Sequence, residues 1–261
     1  LAGWQLALPD VRAAMAFEWM LAWRRRRQRG TIVVGLLPIL FAAIVVALKS
    51  VGIIPVMAID ILPGIMALGY LPVFVVVLPL MLGTSLIGRE AEAGTLAFLL
   101  IRPISRASLL LGKFVGAWAV ACVLLCGSLV VVNVILLGAD GFRDAGSALG
   151  VVPGNLAVLC VGALAYAALF TLVGLVSSRP ALVGLFVAFV WEVGIPVLPG
   201  AIRNLTIRHH LVGLLPGDSI PAYARLTLQP PDAPVALLWL LGGTALMLLL
   251  SMAIFTRRDY P

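Results

Sequence analysis

The sequence predicts an all-α, polytopic membrane protein: six transmembrane helices, an N-terminal interfacial amphipathic helix, and a short cytoplasmic helix between spans two and three. One observation of composition and two of pattern predict it. Of the 261 residues, 62% are hydrophobic and 11% charged, against roughly 45–50% and about 25% in ordinary soluble domains. The apolar residues fall in long uncharged runs, and a helix of about 20 such residues satisfies its own backbone groups in hydrocarbon. The basic residues sit beside those runs instead of forming a stripe interleaved with aromatics.

Residues 1–29 form the first element. Trp4, Leu8, Val11, Met15, Trp19 and Ala22 recur at steps of three and four, and Asp10, Arg12 and Glu18 largely avoid that stripe. A helix of this kind lies flat in the interface with Trp at headgroup depth, and the arginines at 24–27 and 29 attract anionic lipid at about 1 kcal/mol each. Packing of the same stripe on a partner protein is the plainer alternative. The first long apolar run begins some thirty residues into the sequence and no A-x-A-like cleavage site follows it, so it reads as an uncleaved span.

Span one covers 30–48. Span two covers about 71–88, because Pro63, Gly64, Pro72 and Pro79 punctuate the uncharged stretch 61–88, and Pro79 predicts a kink. Spans three to six cover about 109–137, 156–176, 181–198 and 234–256, and only Ser177-Ser178-Arg179-Pro180 separates the fourth from the fifth, a tight helical hairpin. Six spans put both chain ends on one side. Thirteen of the Lys and Arg residues then share that side and five the other, which places both termini in the cytoplasm and loops 49–70, 138–155 and 199–233 outside. This asymmetry accounts for the net charge of +7 without any nucleic-acid partner. Cys122, Cys126 and Cys160 are odd in number and lie in apolar runs, which suits core packing better than a disulfide framework. Cys122 and Cys126, four apart, share a helical face that copper could also use; packing explains them more simply.

The loop between spans two and three is the most informative stretch. Glu90 and Glu92 open it, Gly94 and Thr95 can start a short helix with Thr95 as N-cap, and Leu96, Phe98, Leu99, Leu100 and Ile101 make that helix strongly apolar. Pro103 ends it by disfavouring helix at Arg102, and Ser105 offers a cap for span three. A helix too apolar for water and too short to span must dock on something. A hairpin lying on membrane headgroups is one solution, although Glu90 and Glu92 would face anionic lipid unfavourably; a protein groove with basic residues accepts both features and is the other.

The run Glu90, Gly94-Thr95-Leu96, Leu99-Leu100, Pro103-Ile104-Ser105-Arg106 and Leu111-Gly112-Lys113-Phe114 resembles the hallmark of type-2 ABC exporter permeases. In outline the resemblance extends over the whole chain. It implies that the short helix is a coupling helix seated in a cleft of a separate ABC ATPase, with Glu90, Glu92, Gly94, Thr95, Leu96, Phe98, Leu99, Pro103 and Arg106 as the contact and coupling residues. It also implies a pair of permeases above two ATPase subunits, in the plasma membrane of a prokaryote, with ATP and Mg held by the partner and no cofactor in this chain. Consistent with that, the single Gly-Lys pair, Gly112-Lys113, is followed by Phe114 and lacks the glycine spacing of a phosphate-binding loop. The chain is therefore not expected to be an enzyme by itself.

Glu192 lies inside span five, where an ionisable group costs at least about 2.5–3.5 kcal/mol. It must face the bundle interior or a wet cavity, either as a residue of the translocation path or as an interhelical hydrogen-bonding group. Asn133 in span three is a second candidate for that path, and helix-helix hydrogen bonding is its simpler role. His209 and His210 are adjacent and so point to different faces, and no Cys or carboxylate stands at ligand spacing, which disfavours a metal. The proline-rich loop 199–233 reads as re-entrant or interfacial helices capping the outer mouth. A membrane-embedded enzyme would need clustered His, Asp or Glu on facing spans, and an ATP-independent transporter would favour interrupted half-helices in matched halves; neither pattern is found.

Overall fold

The computed structural model describes residues 29–52, 58–84, 86, 105–142, 145–195, 201–219 and 230–257. These are predominantly helical, with no strand among the described residues. Helix α1 is Arg29–Ser50. Helix α2 is continuous through three pieces, Ala58–Ile65, a π-helical Met66–Phe74 and Val75–Gly83. Helices α3, Arg106–Ala139, and α4, Ala145–Val176, are the longest. Helix α5 begins as Pro180–Phe186 and widens to π geometry over Val187–Gly194. After a 3-10 turn at Ala201–Leu205 come the short α6, Ile207–Leu214, and α7, Ala233–Arg257.

Gly30–Ser50, Ile61–Gly83, Arg106–Ala139, Ala145–Val176 and Ala233–Arg257 are long and apolar enough to cross a bilayer, and Pro180–Glu192 is apolar but shorter. The chain is a multi-pass membrane protein. Exposed Val33, Leu36, Leu40 and Phe41 on α1, and Leu238, Leu246 and Leu249 on α7, form surfaces that hydrocarbon solvates and water does not.

Several expected boundaries move. The second helix begins at Ala58, well before Leu71, because Pro63 falls in its first turns and Pro72 sits within the wide π segment. A proline lacks an N–H and its ring crowds the carbonyl four residues back. A π turn relieves both by re-pairing neighbours five apart, as in the Val75 N–H donating to the Tyr70 carbonyl. Pro79, by contrast, lies within the α-helical Val75–Gly83, so the departure from α geometry falls around Pro72. The fourth helix starts at Ala145, so most of the expected loop 138–155 is helix. Ser105 does cap α3: its Oγ accepts the Ser108 N–H at 3.1 Å. The hairpin between α4 and α5 also forms, with Pro180 in the first turn of α5.

The core lies where α2, α3 and α4 meet, around Tyr70, Leu71, Leu78, Leu110, Leu125, Leu129, Leu159, Tyr166 and Phe170. Contacts between helix ends give the bundle two faces. At one, Lys49 at the end of α1 pairs with Asp140 at the end of α3. At the other, which carries the roots of the loop 87–104, Gly83 packs against α4: a Cβ there would stand 3.0 Å from Phe170 Cβ and 3.2 Å from the Thr171 nitrogen. Small residues at such a crossing let helices approach to backbone contact.

Candidate functional site

Glu192 is 1% exposed, and its carboxylate is fully engaged. The Tyr166 hydroxyl of α4 donates to Oε2 at 2.7 Å. The Ile207 N–H donates to Oε1 at 3.1 Å and the Arg208 N–H to Oε2 at 3.0 Å. These two amides are the first of α6. A helix leaves its first N–H groups without intrahelical partners and carries partial positive charge at that end, so a carboxylate there meets both needs. Thr206 completes the cap, its Oγ accepting the His209 N–H at 3.4 Å while donating to the Arg203 carbonyl at 2.8 Å.

The result is a tie between α4, α5 and the start of α6 within the apolar bundle. Arg208 extends it to α2, donating from Nη2 to the Ala67 carbonyl at 3.4 Å. Further along α6, the His210 ring stacks on Trp239 of α7, centroids 4.1 Å apart and planes within 7°. Its Nδ1 lies 3.0 Å from the Thr206 carbonyl, so that nitrogen carries the proton. Helix α6 is thus held on three sides. Burial, then His210, then Arg203 push the His209 imidazole down to about 4; burial also lowers His210, against a partial offset from its Thr206 bond. Among the described residues no three His, Cys, Asp or Glu side chains gather to hold a metal.

A second constellation stands at the roots of the loop 87–104. Lys113 is 1% exposed, and its Nζ donates to the Leu86 carbonyl at 3.4 Å, placing a cation at the C-terminal end of α2, where helix dipoles favour one. Arg106 reaches from the first turn of α3 to the Thr256 carbonyl of α7, also 3.4 Å. The chain therefore leaves α2 and enters α3 at points tied to each other and to α7. Of the residues singled out in this region, Glu90, Glu92, Gly94, Thr95, Leu96, Phe98, Leu99 and Pro103 lie outside the described residues, as does the amphipathic stretch 1–28.

Residues 22–260 match the family described as ABC-2 family transporter protein. The chain belongs to that family. Among curated proteins none matches it at a significant level. As an ABC-2 family protein it is a membrane permease component of an ABC transporter, and such permeases in general have an ABC ATPase partner.

In this ABC-2 permease, Asn133 is buried, and its Nδ2 donates to the Leu129 carbonyl of its own helix at 2.9 Å. A cavity of about 600 Å³ lies between α1 and α2, lined by apolar side chains such as Leu40, Phe41, Ile61, Leu68 and Phe74. Sequence reasoning found Glu192 but not Tyr166 or Thr206. An isolated tyrosine within an apolar run carries no periodic signal, whereas Thr206 ahead of Ile207 is a legible N-cap pattern.

Proposed function

We propose that this permease is the membrane-spanning half of an ATP-driven exporter, and that nucleotide-dependent closure of a separate ATPase pair drives it through the loop between α2 and α3. The carrying observation is the anchorage of that loop's roots. Lys113 and Arg106, both on α3 where the loop ends, tie that root to the end of α2 and to α7, so a force applied at 95–101 is delivered to three helices together. The apolar run Leu96, Phe98, Leu99 behind Glu90 and Glu92 supplies the docking face. Short α5 completes a six-span topology with both termini in the cytoplasm, supported by the asymmetry of thirteen basic residues against five. The permease works as a pair, and its residues do no covalent chemistry.

On this reading α6 lies in the outward half of the bundle, and Glu192 and Asn133 border the route. Closure biases a two-state bundle, and the Glu192 tie decides whether α6 moves with α5 or against it. Purification of the chain from its native membrane tests the proposal. An ABC ATPase is expected to copurify in equal number, and Glu92→Lys or the pair Leu96→Glu and Leu99→Glu is expected to release it. Association and transport that both survive those changes would defeat the docking assignment.

A further inference from the structure

The tertiary structure brings together two thiols that lie far apart in sequence. Cys126 Sγ of α3 and Cys160 Sγ of α4 are 3.6 Å apart, near the middle of the two longest helices. The site is held from both sides: Trp118 Nε1 donates to the Cys160 carbonyl at 3.0 Å, and Cys126 Sγ lies 4.0 Å from the Leu156 carbonyl, one turn before Cys160. All three cysteines are free and partly accessible at the bundle surface. Cys122 stands one turn back on α3, also beside Cys160.

We propose that Cys126 and Cys160 form a two-coordinate binding site for a soft d10 cation of the mercuric class. Zinc seeks four ligands, and among the described residues no group of three or more ligating side chains is arranged to hold an ion. Thiolates select soft metals. Charge then chooses among them: two thiols release two protons to a divalent ion and leave a neutral bis-thiolate, whereas a monovalent ion leaves a net negative charge in hydrocarbon, where charge is expensive. With metal–sulfur bonds of about 2.3 Å, a linear bridge asks the sulfurs to open by about 1 Å, which cysteine side-chain rotation supplies.

The test titrates the purified full-length chain with mercuric chloride, reading sulfur-to-metal ultraviolet absorbance, thiols left for maleimide and the thermal midpoint. One ion per chain is expected, with two thiols protected, a raised midpoint, and no protection by zinc at equal concentration. Cys160→Ser, which removes the thiol that faces both α3 cysteines, and the double change of Cys122→Ser with Cys126→Ser are each expected to weaken binding by about 100-fold or more through loss of chelation, and Cys122→Ser alone to leave it unchanged. The proposal is overturned by unchanged binding in Cys160→Ser or in the double variant, by loss in Cys122→Ser alone, or by equal protection from zinc.

Discussion

The Tyr166 hydroxyl and the Glu192 carboxylate meet at 2.7 Å across the α4–α5 interface, and the same carboxylate takes the first two amides of α6. One side chain thereby satisfies a phenol and a helix terminus that are otherwise buried without partners. Hydrogen bonds to charged groups contribute about 1.5–3 kcal/mol each, and stranding buried partners costs more than the bond itself. Glu192→Ala is therefore expected to destabilise the protein by about 3–5 kcal/mol, and Tyr166→Phe, which strands nothing but one lone pair, by about 1–3 kcal/mol. Glu192→Gln should fall between them. Thermal unfolding in detergent measures all three, and a double-mutant cycle should find the pair coupled.

Gly83 predicts a second effect. A methyl group there meets Phe170 Cβ at 3.0 Å, the Thr171 nitrogen at 3.2 Å and the Ala167 carbonyl at 3.3 Å, two of them backbone atoms that cannot yield. Gly83→Ala should lower stability by about 1–3 kcal/mol through overpacking. Gly127→Ala in α3, which meets nothing within 4 Å, should be neutral or stabilise by up to about 1 kcal/mol through helix propensity. Matching midpoints for the two variants would contradict the close crossing of α2 and α4.

The His209 imidazole, held down to about 4 by burial and by the neighbouring His210 and Arg203, makes stability depend on pH. Its ordinary value is about 6.5, so between 6.5 and 4 the unfolded chain binds the proton and the folded chain does not. Its contribution is complete above pH 6.5 and declines as the pH falls toward 4, by no more than about 3 kcal/mol. His209→Gln should make the midpoint-against-pH curve shallower in that window, where His210 also contributes, and leave it unchanged above pH 7.

On the proposed function, variants of Lys113 and Arg106 are expected to separate docking from transmission. Lys113→Gln and Arg106→Gln weaken the ties to Leu86 and Thr256 and leave the sequence of 95–101 unchanged. ATPase copurification is expected to persist in both variants while nucleotide-driven transport falls, the inverse of the pattern expected for Leu96→Glu. Loss of ATPase binding in the root variants would place Lys113 or Arg106 in the docking face itself.

Much of this architecture was readable because hydrophobic length and charge asymmetry are local properties. A run of twenty apolar residues must span, and Ser105 and Pro180 act on the turns that contain them. The errors fell where a neighbour overrides local preference. Prolines 63 and 72 read as breakers, yet burial of the second helix against α3 and α4 made a π turn the better accommodation.

Composition, span order, the motif running from Glu90 to Phe114 and the need to satisfy Glu192 were determined by the sequence alone, since each rests on residue type and spacing. Tertiary structure alone decided what satisfies Glu192, which thiols meet, and which helices the loop roots grip. Those outcomes depend on side chains brought together from positions such as 166 and 192, 126 and 160, or 106 and 256, and no local pattern encodes a distance between helices that only packing sets.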